Sequence, residues 1–359
     1  MTRCRPTALL AALLILGMGA TSDAITQKAS VEGHARAEGG APVQFALVRL
    51  VRADSSPLPS DSPPQGITNA DGRYRFDGVA PGRYRVQLLR IGFRPVLSDP
   101  VQVVAGETVQ LELRVASQPL MLESVTVTAD VCVPAKELKK YPQLQTLWQQ
   151  ARDGASVRTE LMARFRYHVL NHEESYELKA DGPTAPGTLD RPYVSDPKWA
   201  VKNAARNREQ RLSRGYYGPS NDLGDGFYVP HELDVLHEDF LKTHCFVSTA
   251  ARGVGEVGLR FRALHTRRNF LDILGTIWLD RATYLARRLE LEYVDGVESR
   301  GTVRVDFADV PVAGGTLRMP VGGAFTMRPS RKNPTRRTEG KFTFTYSGFE
   351  EVPPRSNGM

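Results

Sequence analysis

The sequence has no apolar run long enough to cross a bilayer as a helix. The longest, Ala8 to Ala20, falls short of the roughly 20 residues that such a helix needs, and no later segment approaches it. Cysteine is scarce, with three in 359 residues. Catalytic signatures are missing as well. There is no Gly-x-Ser-x-Gly elbow, no phosphate loop and no dinucleotide fingerprint. Gly253-Val254-Gly255 stands before a strand pattern, not in a strand-to-helix turn. No His-Glu-x-x-His or related zinc-protease spacing occurs. These absences leave no expected catalytic residue, cofactor or metal, and the chain reads as non-enzymatic.

Hydrophobic residues make up 41% of the chain, enough for ordinary cores and too few for a multi-span membrane protein. The length suggests two domains. Pro and Gly are frequent and the apolar segments are short and alternating, which favours a mainly β fold.

The N-terminus reads as a secretory signal peptide, residues 1–24. Arg3 and Arg5 precede the apolar run, and small residues Thr21, Ser22 and Ala24 follow it. Cleavage after Ala24 fits best, with Ala20 the competing position. Cys4 lies before the apolar run, so it marks no lipid-attachment site. The expected location is therefore outside the cytoplasm, in the periplasm or at the outer membrane. Export leaves Cys132 and Cys245, which are 113 residues apart. An even count in an exported chain points to one disulfide, with two separate buried thiols as the alternative.

Net charge is +7, and Arg3, Arg5 and Asp23 account for one of these charges. Basic residues mostly alternate with acids. The densest exception is Arg328, Arg331, Lys332, Arg336 and Arg337, a Pro-containing loop that reads as solvated, with contact to an acidic envelope surface as the alternative. No nucleic-acid partner is expected.

The stretch Thr68 to Leu88, TNADGRYRFDGVAPGRYRVQL, carries the clearest structural signal. Tyr74 and Phe76 alternate with Arg73 and Arg75, and Tyr84, Val86 and Leu88 alternate with Arg83, Arg85 and Gln87. Turn residues separate the runs. Period two with one apolar face predicts strands packed on one side and wet on the other. Gln44 to Val51 is apolar on both faces, which leaves its register open. Val31, Val101 to Val104, Val109 to Val115, and Val125 with Val127 add further strands. The whole predicts a small antiparallel sandwich over 25–131.

This order of elements resembles the carboxypeptidase regulatory-like domain: VEGHARAEGGAPVQFALVRL, then ITNADGRYRFDGVAPGRYRVQLLRIGFRP, then VVAGETVQLELRV. The resemblance implies a transthyretin-like β-sandwich, a group that includes carbohydrate-binding-like folds. The metallopeptidase ligands of that family's name belong to a separate catalytic domain that this chain lacks. The following LMLESVTVTAD is similar to the segment that joins such domains to the plug of TonB-dependent receptors, but no plug or 22-strand barrel fits in the remaining length.

A second domain is expected over 132–352, with a disordered tail at 353–359. Leu144, Leu147, Trp148 and Ala151 are spaced as the apolar stripe of a helix lying on a sheet. Alternation at Phe165, Tyr167 and Val169, at Val257, Leu259 and Phe261, at Leu289, Leu291 and Tyr293, at Val303, Val305 and Phe307, and at Phe342, Phe344 and Tyr346 predicts a curved antiparallel sheet. The hairpin GTIWLDRATYLARRLELEYV is similar to the half-barrels of outer-membrane lipoprotein carriers and sigma regulators. With LHEDFLKTHCF, the tail also resembles exported bacterial proteins of unknown function that pair two such domains, which implies that Cys132 and Cys245 belong to a shared pattern. An acyl chain held between sheet and helix would be lined by Leu144, Leu147, Trp148 and Trp278. Tyr74, Tyr84, Trp148 and Trp278 are all expected on buried faces.

An insertion spans 180–226. Ser195 or Asp196 would cap a helix running through Trp199 to Leu212, and the insertion reads as a variable surface element, with a lid or partner-facing flap as the alternative. His168 and His172 are too far apart along a strand to share a metal. His231, His237 and His244, with Glu232, Asp234, Glu238 and Asp239, are read as an acid-rich helix from Asp234 to Leu241. The functional expectation is a non-enzymatic envelope protein that binds or scaffolds. Its partner would be another envelope protein, a glycan taken by the first domain or a lipid taken by the second.

Overall fold

The computed structural model describes residues 28–54, 64–90, 95–116, 131–179, 182–183, 187–195, 208–220, 224–227, 230, 232–250, 255–267, 270–281, 283–296, 298–312, 315–327 and 338–352. The signal peptide, the joining segment with Val125 and Val127, Trp199, the cluster Arg328 to Arg337 and the 353–359 tail lie outside them. The fold is mainly β, and among the described residues no sheet closes into a barrel.

Nine strands build the first body: β1 (Ala29–Ala37), β2 (Leu47–Arg52), β3 (Gln65–Ile67), β4 (Arg73–Val79), β5 (Gly82–Leu89), β6 (Val96–Leu97), β7 (Val101–Val103), β8 (Thr108–Gln110) and β9 (Leu113–Val115). One sheet orders β4-β1-β8, with β9 also on β1. The other orders β3-β2-β5-β6, with β7 on β5. Pairing is antiparallel except that β1 meets β8 and β9 in parallel. The run from Val109 to Val115 is broken where Leu111 crosses Gly33. A Cβ on Gly33 would lie 1.8 Å from the Leu111 carbonyl oxygen, which accepts the Tyr74 hydroxyl at 2.6 Å. Asn69 shapes the turn before β4 by accepting the amides of Asp71 and Arg73 at 3.0 and 2.8 Å. Gly72 takes the left-handed φ of 74° that this turn requires. Val31, Tyr74, Phe76, Tyr84, Val86 and Leu88 share one core.

The second body holds β10 (Val133–Pro134), the helix α1 (Pro142–Met162), β11 (Phe165–Lys179), β12 (Gly182–Pro183) and β13 (Gly187–Val194). A helical segment α2 at 208–214 precedes the hairpin β14 (Tyr217–Ser220) and β15 (Gly224–Phe227), then α3 (Glu232–Val235). The chain continues through β16 (His244–Ala250), β17 (Glu256–Ala263), β18 (Leu271–Asp280), β19 (Ala286–Asp295), β20 (Glu298–Val312), β21 (Gly315–Met327) and β22 (Thr338–Glu351). Eleven strands form one antiparallel sheet, ordered β10-β16-β17-β18-β19-β20-β21-β22-β11-β12, with β13 on β11. Cys132 and Cys245 form a disulfide with Cα atoms 5.3 Å apart, fixing the entry of the second body to β16.

The helix α1 is the middle layer between the bodies. Gln150, Ala151 and every residue from Asp153 to Arg158 are buried. The small residues Ala151 and Ala155 lie on the side that packs into the second core. Leu47, Ile67 and Leu89 of the sandwich join Val157, Leu161, Phe165, Leu317 and Met319 in a shared apolar cluster. This accounts for the two apolar faces of β2: Val48 and Leu50 face the sandwich core, and Leu47 faces the helix.

Two expectations are corrected. The acid-rich segment is not one helix from Asp234 to Leu241. It is the single turn α3 followed by a 3-10 turn at Phe240–Lys242, with Leu236 and Phe240 both buried in the second core. Nor is the insertion only a surface element. β13 extends the main sheet along β11 from Gly187 to Val194, and Tyr216 is 1% exposed within the second core.

Candidate functional site

One face of the large sheet carries the helix. Under α1, Leu144, Leu147, Trp148 and Ala151 pack in one core with Ile277, Leu279, Leu289, Leu291 and Tyr293. Trp278 is not among them. Its strand neighbours Ile277 and Leu279 point inward and it points outward by strand alternation. On the outer face its indole donates to Glu290 at 2.6 Å, and the Arg288 guanidinium sits 4.7 Å above its ring. Arg288 also grips both carboxylate oxygens of Glu256 at 2.8 and 2.9 Å. Trp278 is therefore removed from the expected pocket lining, and its place on a buried face is corrected. A surface depression lined by Val247, Arg260, Phe261 and Arg262 is lined by two arginines as well as apolar residues, so it too differs from the expected apolar site.

Farther along the helix-bearing face the side chains are aromatic and only partly buried. Phe325 pairs with Phe342, Gly323 with Phe344, and Tyr346 with Val169, which in turn pairs with Tyr193. Two glycines set the posture of the rings. A Cβ on Gly323 would lie 2.6 Å from the Phe344 ring, and one on Gly340 would lie 2.8 Å from the Phe342 ring. Both rings therefore lie down over glycine backbone, a known role of glycine within strands. Ring centroids are 5.5 Å apart for Phe325–Phe342, Phe344–Tyr346 and Tyr167–Tyr346, and 5.9 Å for Tyr293–Phe325. Burial pushes the Tyr167 and Tyr346 phenols up from their usual range, so both stay neutral. The row runs from the buried Tyr293 outward to Tyr193, which is 52% exposed. Phe325 and Tyr193 were not singled out from sequence, although the Gly322-Gly323 pair inside a strand pattern is the signal that marks such a surface.

A buried polar cluster closes one end of the core. His244 Nε2 lies 3.0 Å from Asp272 Oδ1, and an ionised carboxylate can only accept, so Nε2 is assigned as the donor. Arg267 donates to Asp272 Oδ2 at 2.8 Å and to the Leu212 carbonyl at 3.2 Å. Burial works to raise the Asp272 pKa, but hydrogen bonds from His244 and Arg267 outweigh it and hold the carboxyl below the usual range. Arg211 and Arg208 reach the buried Asp234 at 2.7 and 3.2 Å. These bonds pin α2, part of the insertion, to the core.

The same cluster has the connectivity of a nucleophile–His–Asp chain, since Thr243 Oγ1 lies 2.9 Å from His244 Nδ1. His244 is fully buried, however, and the Phe240 ring stacks on it at 3.7 Å. The imidazole is thus packed into the core, where its bond to Asp272 ties β16 to β18. Elsewhere, His172 bonds Asp190 at 2.6 Å across β11 and β13, and His237 lies 3.1 Å from Asp239. Among the described residues no group of three or more His, Cys, Asp or Glu is arranged to hold a metal ion, and no helix is long and apolar enough to cross a membrane.

Residues 30–116, from β1 to the end of β9, match the model of the carboxypeptidase regulatory-like domain. No curated protein matches the chain. Among solved structures it is similar to a LolA-superfamily protein from Nitrosomonas europaea, with 9% identity over 56% of this chain and 94% of that one, at a TM-score of 0.27. A candidate carbohydrate-binding protein from Bacteroides uniformis is 10% identical over 66% of this chain and 91% of that one, with a TM-score of 0.21. The minor pilin GBS52 of Streptococcus agalactiae is 12% identical over 28% of this chain, with a TM-score of 0.22, and the match spans about half of the pilin, 49%.

Proposed function

We propose that this is a non-enzymatic binding protein of the cell envelope, exported to the periplasm or the outer membrane, and that it takes the apolar chain of an amphiphile on its aromatic face. The observation that carries this reading is the row Phe325, Phe342, Phe344 and Tyr346, partly exposed beside the buried core under α1. With Tyr167 on β11 and Tyr193 on β13 beside the rings of β21 and β22, the partly exposed aromatics spread over four strands, which at about 4.8 Å spacing span roughly 14 Å. That is close to half of the ~30 Å hydrocarbon thickness of a bilayer, the length of one lipid tail. Rings lying flat over Gly323 and Gly340 make a smooth apolar surface, which suits a flexible chain better than a polyhydroxylated sugar. The glycan alternative loses support in the first body, where Tyr74 and Tyr84 are 4% and 2% exposed and unavailable for stacking.

The disulfide supports export, because such bonds persist in oxidising compartments. The test is titration of the purified chain with a fluorescent polyene fatty acid, alongside mass spectrometry of co-purified lipid. Saturable binding that weakens in Phe344→Ala and Phe342→Ala supports the reading. Absence of binding, or binding indifferent to both substitutions, overturns it.

A further inference from the structure

The polar side chains on the sandwich-facing side of α1 are out of keeping with their surroundings. Asp153 and Glu160 are seven residues apart, two helical turns, and so share one face. Asp153 is 5% exposed. Its hydrogen bond comes from the neutral amide of Gln149, at 2.9 Å, and among the described residues it makes no ion pair within 4 Å. A carboxylate held this way has lost its water without gaining a strong counter-charge. Around it stand Gln149 and Arg152 of its own helix and Arg49 of β2. Glu160 accepts from Gln65 of β3 and faces Arg49 and also Arg164, which in turn faces Glu351. The acids thus sit where the sandwich docks, beside the apolar cluster that Leu47, Ile67 and Leu89 share with Val157 and Leu161.

We infer that the seat of the sandwich on α1 is a proton-operated latch, tightened when Asp153, with Glu160 beside it, takes up a proton and loosened when it is ionised. Burial pushes both carboxyls up from their ordinary range, against the opposing pull of their neighbours. The docked form therefore binds more protons than the undocked form. By linkage the latch is tightest below the ordinary Asp value of about 3.9, and it weakens as pH rises toward the raised value. Because α1 also forms the floor of the second core, the latch would join the position of the sandwich to the face beside the aromatic row.

Hydrogen exchange of the full exported chain tests this between about pH 4.5 and about pH 8, with amide protection corrected for intrinsic rates. Amides of 150–158 and of β2 and β3 are expected to lose protection progressively over that span. Asp153→Asn, which keeps its size and its bond to Gln149, is expected to flatten the profile at the protected level. Arg49→Met, which removes the nearest sandwich cation, is expected to move the transition to higher pH. The second variant decides the matter if the first does not fold. Protection that is constant with pH in the unaltered chain overturns the inference, as does an unchanged slope in Asp153→Asn or an unmoved transition in Arg49→Met.

Discussion

The indole of Trp278 lies over the backbone of Gly258, its registered partner on the neighbouring strand. A Cβ on Gly258 would sit 2.9 Å from the indole and 2.5 Å from the Thr249 methyl. The tryptophan thus covers a glycine on the outer face of the sheet, in the way aromatics protect strand glycines from water. Gly258→Val is expected to destabilise the protein by about 1–3 kcal/mol through overpacking, read from denaturant unfolding. An unchanged midpoint would show that the indole moves aside freely.

The buried Asp272 predicts a specific acid response. Its folded pKa is depressed, so the unfolded chain binds more protons than the folded one between that value and about 3.9. Its stabilisation is complete above that range and is lost as pH falls through the depressed folded value. Asp272→Asn is expected to cost about 3 kcal/mol at neutral pH, near the lower end for a broken buried pair because Arg267 keeps partial access to water. The same variant is expected to show a shallower loss of stability below about pH 4. An acid-unfolding curve parallel to that of the unaltered protein would contradict this.

Removal of the disulfide, as Cys132→Ser with Cys245→Ser, is expected to cost about 2–5 kcal/mol. Loop-closure entropy for 113 residues lies near the top of that range. Chemical denaturation with and without reductant measures it, and the reduced native chain is expected to match the double variant.

Phe344 and Phe342 are partly exposed, so alanine at either position is expected to leave the chain folded while weakening a bound fatty acid by roughly tenfold, about 1.4 kcal/mol. Phe246, fully buried in the core, gives the contrasting control. Alanine there is expected to cost about 3–5 kcal/mol of stability.

Much of the fold was legible because the strands of the sandwich are wet on one side. Tyr74, Phe76, Tyr84 and Val86 alternate with arginines and are buried as their period requires. The stripe of α1 was legible for the same reason. Gln44 to Val51 resisted, because a strand covered on both faces has no polar side to betray its register. Trp278 misled for a related reason. A bulky aromatic in an apolar strand reads as core, whereas its cover comes from a glycine on the next strand and from Arg288. The aromatic face was half legible. The alternation at Phe342, Phe344 and Tyr346 gave the strand, but only cross-strand pairing with Gly323 and Asn171 places Phe344 within a wider surface.

The sequence by itself determined the β character, the two bodies of strands, the helix stripe and the pair of cysteines suited to a bridge, since each depends on local periodicity or on residue count. Only the tertiary structure decided that α1 is covered on both sides, that part of the insertion enters the core through Tyr216 and Asp234, and which aromatic rings stay open. Those outcomes depend on packing between residues distant in the chain, such as the cluster that Leu47 and Val157 share. Local alternation carries no information about which distant surface will cover a given face.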